Sequence, residues 1–122
     1  MVLIVDDSGL IRLVVSDELH KKGYDTVTAS DGTKALRVAA SKNPDLILLD
    51  VMLPGMDGFE TCRRLKQDPA TKNIPIVFMT ARDKKEDASK GMQAGASAYL
   101  VKPFEGDELY RTVSKLIGNA YT

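Results

Sequence analysis

Asp45–Glu60 reads DLILLDVMLPGMDGFE, and this stretch decides the fold class. Leu46–Leu49 is a continuous apolar run, closed by Asp50 and then by the turn-forming pair Pro54-Gly55. An apolar strand without polar alternation is one covered on both faces, as in a parallel sheet. Beyond the turn the period changes. Phe59, Cys62 and Leu65 lie three apart, on one side of a helix. The unit is a buried strand, an acid at its carboxyl end, a loop and a helix.

The same unit recurs in both directions. Apolar runs stand at Val2–Val5, Ile76–Met79 and Tyr99–Val101, with a weaker one at Thr26–Ala29. Helical stripes fall between and after them: Ile11, Val14, Val15 and Leu19; Leu36, Ala39 and Ala40; Ala88 and Met92; Leu109, Val113, Leu116 and Ile117. Gly23, Asn43-Pro44 and Gly95 supply the stops. Five β–α units in a row predict an α/β fold with a doubly wound, five-stranded parallel sheet. Right-handed crossovers then make the flavodoxin-like (βα)5 order 2-1-3-4-5 the expected one.

Composition bounds the function. A chain of 122 residues with 43% hydrophobic content suits one domain over residues 1–122, and no linker or repeat divides it. Lys+Arg and Asp+Glu are 17 each, which argues against nucleic-acid binding, since phosphate backbones are held by an excess of basic residues. The single cysteine, Cys62, has no internal disulfide partner and lies on an apolar stripe, which predicts a buried thiol in a reducing compartment. His20 sits near a helix end, where the dipole favours it. No apolar run approaches the ~20 residues of a membrane span, and the opening MVLIV lacks the basic flank of a secretory signal. A cytoplasmic protein without membrane contact is expected.

In a sheet of this order, ligands bind beyond the carboxyl ends of the strands, where the order reverses between strands 1 and 3. Asp6 and Asp7 follow the first run, Asp50 the third, Thr80 and Ala81 the fourth, and Lys102 with Pro103 the fifth. Carboxylates so placed repel by about 4 kcal/mol per pair at 4 Å and an effective dielectric near 20. Lys102 can offset one charge. A hard divalent cation can offset the rest, and Mg2+ suits one or two carboxylates and several waters. The reaction class this suggests is attack of a carboxylate on phosphorus, giving an aspartyl phosphate, with charge on the transferring group stabilised by Lys102 and the cation.

LIVDDS at Leu3–Ser8, DLILLDVMLPGMDGFE at Asp45–Glu60, IPIVFMTA at Ile74–Ala81 and AYLVKPF at Ala98–Phe104 resemble the four signature blocks of bacterial response-regulator receiver domains, and GYDTVTASDGTKAL at Gly23–Leu36 resembles their second strand and helix. The resemblance implies that Asp50 is the phosphoacceptor. It implies that Asp7 is a direct metal ligand, that Asp6 acts through water, and that the Met52 backbone carbonyl is a further ligand. Mg2+ is the implied cofactor, with Mn2+ able to substitute. Lys102 would pair with the phosphoryl group, Thr80 would be the switch hydroxyl beside the Ala81 N–H, and Tyr99 the aromatic switch residue. Met52 and Arg82 fall at positions that tune the chemistry. The Lys102–Pro103 bond is expected to be cis, which also turns Lys102 back toward Asp50. The implied partners are a histidine kinase or histidine phosphotransfer protein as donor, and a downstream protein or fused output domain as reader. The reader would use the face of helix 4, strand 5 and helix 5, around Lys84, Lys90, Tyr99 and Glu108. Such a domain catalyses only its own phosphorylation and dephosphorylation and is not otherwise an enzyme. A phosphorylation-dependent dimer also belongs to the family's repertoire. GASAYL at Gly95–Leu100 departs from the common pattern, however: Ser97 and Ala98 replace acids that would face Arg111 across one type of dimer.

Other readings fit less well. A flavodoxin-like flavin carrier needs a hydroxyl- and glycine-rich first loop for its phosphate, and this loop is acidic. A phosphatase with an aspartyl nucleophile needs D-x-D there, and the acids are adjacent. A degenerate, binding-only receiver would have lost Asp50, Thr80 or Lys102. As plain structural roles, Asp6 or Asp7 could cap a helix, Tyr99 could pack in the core, and Met52 and Met56 could pack as a lid.

Overall fold

The structure, a computed structural model, describes residues 1–81 and 85–118, with the backbone alone at 85–88. Arg82 and Lys84, and the side chain of Ala88, lie outside the described residues. Elements follow the expected alternation: β1 (Val2–Val5), α1 (Gly9–Lys21), β2 (Thr26–Ala29), α2 (Gly32–Lys42), β3 (Leu46–Asp50), α3 (Gly58–Gln67), β4 (Ile76–Thr80), α4 (Lys85–Ala94), β5 (Ala98–Val101) and α5 (Gly106–Ile117). The strands are parallel, in the order β2-β1-β3-β4-β5.

Strand alternation divides the core into two layers. Leu3, Val5, Ile47, Leu49, Ile76 and Phe78 point to one face, where Ala35, Ala39, Cys62, Leu65 and Ala94 of α2–α4 cover them. Val2, Ile4, Leu46, Leu48, Val77 and Met79 point to the other, under Val15 and Leu19 of α1 and Leu109 and Val113 of α5. Every residue of β1 and of Leu46–Leu49 is fully buried, at about 1.5–3 kcal/mol per large aliphatic side chain. That double coverage is why these strands carry no polar alternation.

Helices α1, α2 and α3 start at side-chain caps. Ser8 accepts from the Ile11 N–H, Asp31 from Lys34 and Asp57 from Glu60, each worth about 1 kcal/mol. Thus Ser8, not Asp6 or Asp7, caps α1. Asn43 ends α2 in the left-handed conformation with φ 49°.

Several helix faces differ from the sequence reading. Val14 and Met92 are exposed, at 49% and 56%, and Ala40 is exposed as well. Val15 keeps its place on the α1 contact line, while Ala35 and the pair Gly91 and Ala94 occupy the lines of α2 and α4. At Gly91 the fit is tight, since an added Cβ would come within 2.9 Å of the Phe78 ring. The run at Tyr99–Val101 reads as a doubly covered strand, yet β5 is an edge strand and Tyr99 is 37% exposed. Tyr99 is therefore not a core residue in this state. Met52 is 59% exposed and forms no lid.

Candidate functional site

The site lies at the carboxyl ends of β1, β3 and β4 and just beyond β5. Asp50 and Thr80 are the last residues of their strands, one position further into the sheet than the apolar runs suggest. Backbone pairing beside Met79 and Val101 thus holds both backbones. They are 5% and 2% exposed. Gly58, at the start of α3, lets the chain pass close to Asp50, since a Cβ there would run into the Asp50 carbonyl oxygen.

One carboxylate oxygen from each of Asp6, Asp7 and Asp50 lies within 4.8 Å of the other two. Asp6 is 1% exposed. Its Oδ1 accepts from the Ser8 N–H at 2.9 Å and its Oδ2 from the Lys102 ammonium at 2.6 Å. Lys102 also stands 3.4 Å from Asp50 Oδ2, while Asp50 Oδ1 accepts from the Met52 N–H at 3.2 Å. Asp7 is exposed. The Lys102–Pro103 bond is cis, and the Lys102 N–H donates to the Thr80 carbonyl at 2.6 Å. The structure thus brings together Asp6, Asp7, Asp50 and Lys102, with the Thr80 backbone beside Lys102. It places Ala81 at the rim and Tyr99 further back on β5, opposite Phe78 in the strand register.

Burial, and then the Asp6 charge, push the Asp50 carboxyl above its ordinary value, against the opposing pull of Lys102 and the Met52 N–H. The unfolded chain ionises Asp50 more readily, so its contribution to stability is complete below the unfolded pKa and is lost as pH rises through the folded one. Metal-free melting temperature should therefore fall as pH rises above the ordinary carboxylate range, and Asp50→Asn should flatten that slope. An unchanged slope in the variant would place the titration elsewhere. Cys62, by contrast, is fully buried, donates to the Ala94 carbonyl at 3.3 Å, and is pushed by burial up to about 11. Such a thiol is inert.

The donor set fits a hard divalent cation. Among the described residues it offers three carboxylates, with the Lys102 ammonium as the cation in contact with two of them. The contacts on Asp6, 2.9 and 2.6 Å, are shorter than those on Asp50, 3.2 and 3.4 Å, and Asp7 accepts no hydrogen bond among the described residues. Two features were not found from the sequence. Arg12, in the first turn of α1, donates from Nη1 to the Asp6 carbonyl at 2.6 Å. Leu10, Leu13 and Val14 form an exposed apolar face on α1, at 69%, 67% and 49%. That face borders a groove of about 430 Å³ lined by Ile11, Val14, Lys102, Pro103 and Phe104 among others. The outward-facing Leu10 and Leu13 belong to no core stripe, and nothing in their spacing marks them.

A family model for the response regulator receiver domain matches residues 2–114. Response regulator PleD of Caulobacter vibrioides is 45% identical over 115 residues, which cover 94% of this chain and 25% of that protein. Curated relatives of this kind are longer, and the chain spans from a quarter to about half of their length. The chemotaxis protein CheY4 of Vibrio cholerae superposes with a TM-score of 0.90 at 38% identity, over 94% of this chain and 96% of that one. The receiver domain of the sensor histidine kinase PA1611 from Pseudomonas aeruginosa, solved with a magnesium ion in its active-site cleft, gives a TM-score of 0.89 at 33% identity over 97% of both chains.

Proposed function

Since the chain belongs to the response-regulator receiver family of two-component signalling, we propose that Asp50 accepts a phosphoryl group from a phosphohistidine donor in a Mg2+-dependent reaction. The observation that carries this reading is the buried Asp50 carboxylate, 3.4 Å from Lys102 and within 4.8 Å of Asp6 and Asp7. Asp7, Asp50 and the Met52 carbonyl would hold the metal, with Asp6 reaching it through water and Mn2+ able to replace it. Bound there, the cation supplies charge neutralisation for an approaching dianion. Asp50 forms the new O–P bond as the P–N bond of the donor breaks and the imidazole leaves. Lys102 neutralises charge on the transferred group, beside the Ala81 N–H and the Thr80 hydroxyl. Thr80 then moves toward the phosphoryl oxygens and Tyr99, exposed in this state, turns inward. The α4–β5–α5 face changes shape for a downstream protein, an output domain or a second copy. No described helix is long and apolar enough to cross a membrane, which is consistent with a cytoplasmic phosphorelay.

The donor would be a histidine kinase or phosphotransfer protein. The exposed Leu10, Leu13 and Val14, three and four apart, form one helix face next to the Lys102–Phe104 groove. An amphipathic donor helix laid on that face would bring its phosphohistidine to Asp50. Incubation with a ³²P-labelled histidine kinase and Mg2+ should label this chain. Leu13→Glu should slow that transfer about tenfold or more, the scale of one buried apolar anchor, while leaving labelling by acetyl phosphate unchanged. No labelling of the wild type by any phosphohistidine donor or by acetyl phosphate would overturn the function. Equal slowing with both donors in Leu13→Glu would overturn only the docking face.

A further inference from the structure

We propose that Arg12 is a positioning residue, whose guanidinium sets the orientation of Asp7 by holding the carbonyl of Asp6. The proposal rests on the reading of Asp7 as a metal ligand. Asp6 is anchored at four atoms. Its N–H donates to the Ala29 carbonyl at 3.2 Å, Oδ1 accepts from the Ser8 N–H at 2.9 Å, Oδ2 accepts from Lys102 at 2.6 Å, and its carbonyl accepts from Arg12 Nη1 at 2.6 Å. The first three fix Asp6 itself. The fourth fixes what comes next, because the Asp6 carbonyl shares one rigid plane with the nitrogen and Cα of Asp7. Asp7 is exposed and makes no side-chain hydrogen bond of its own among the described residues. Its direction is therefore inherited from that plane. The Arg12 backbone is in turn held in the first turn of α1, where its N–H donates to the Ser8 carbonyl at 3.1 Å. A cation this close to a dication site would be expected to weaken metal binding by repulsion. Arg12 nonetheless directs its bond to a neutral carbonyl, while Lys102 serves the Asp6 carboxylate.

Charge and positioning predict opposite signs, which makes the proposal testable. Simple electrostatics says that removing the guanidinium tightens Mg2+. Positioning says that removal weakens it, by about tenfold, as for other groups that orient a metal ligand. Mg2+ alone is titrated into ¹⁵N-labelled protein and the Asp6, Asp7 and Asp50 amide shifts are followed for wild type, Arg12→Ala, Arg12→Met and Arg12→Lys. Ala favours the helix and Met keeps the stem, so the comparison survives if either variant folds. The Ala or Met variant should bind about tenfold more weakly, and Lys, which retains a donor and the charge, should recover most of the loss. In the metal-free protein the Asp7 amide should also gain fast motion in the Ala or Met variant, a change that does not depend on bound metal. Unchanged or tighter Mg2+ binding in Arg12→Ala or Arg12→Met would overturn the role of Arg12 alone. Wild-type protein with no Mg2+-dependent shift at these amides would overturn the metal reading, and the proposal with it.

Discussion

Asp50→Asn is expected to abolish phosphoryl labelling by acetyl phosphate and Mg2+, where the wild type gains one phosphoryl group by intact mass. Of the three clustered acids, Asp50 alone combines what a nucleophilic carboxylate needs. Asp6 is held more closely, by the Ser8 N–H at 2.9 Å and by Lys102 at 2.6 Å, than Asp50 is by the Met52 N–H at 3.2 Å and Lys102 at 3.4 Å. Asp7 is exposed and solvated. Asp50 is nine-tenths buried and then some, at 5% exposure, keeps Lys102 at a looser 3.4 Å, and has its carboxyl raised by burial and by Asp6. A raised pKa means a more basic and more nucleophilic oxygen, provided the site still ionises at working pH. The Asn side chain keeps the shape and loses the attacking anion, so the loss should be complete. Asp7→Asn should instead slow labelling by about ten- to a hundredfold through weaker metal binding. Full labelling of Asp50→Asn, with peptide mapping to another residue, would sink the assignment.

The legible parts of this molecule are those in which one residue type has one cause. Leu46–Leu49 carries no polar residue because helices cover both faces of β3, so the apolar run and the parallel sheet are the same fact. Asp6, Asp50, Thr80 and Lys102 follow from it, since the strand order puts every strand end on one edge. Helix faces were less legible. Val14 and Val15 are equally apolar neighbours, about 100° apart around the helix, and only the docked position of α1 decides that Val15 is buried and Val14 exposed. Tyr99–Val101 reads as a buried run, but position at the sheet edge, not side-chain chemistry, sets the exposure of Tyr99. Arg12 was invisible for a different reason. Its partner is a backbone carbonyl, which every residue possesses, so no pairing of residue types marks the contact.

Lys102→Met should produce the largest loss of stability at neutral pH, and the loss should shrink as pH falls. Lys102 is 19% exposed and stands against two carboxylates that are 1% and 7% exposed. Methionine fills much the same stem volume, so packing is largely kept while the charge goes. Removing one partner of a buried ion pair costs about 3–5 kcal/mol, because the other is left charged and uncompensated. The partly open ammonium argues for the lower end, near 3 kcal/mol. The cost also has a ceiling. Asp50 already has a raised pKa, and without Lys102 it rises further until the carboxyl takes up a proton instead of staying charged. Each unit of that rise is worth about 1.4 kcal/mol. As pH falls through this raised value the folded state protonates, the repulsion between Asp6 and Asp50 disappears, and the variant should approach wild-type stability. Urea unfolding across the carboxylate range and up to neutrality reads this directly. Lys102→Met combined with Asp50→Asn should recover more than half of the neutral-pH loss, since one buried charge is removed together with its lost partner. A loss of equal size at acid and neutral pH would mean that Lys102 matters through its stem. The charge balance of the site would then be held by some other group, and the neutralising role given to Lys102 in phosphoryl transfer would lose its physical basis.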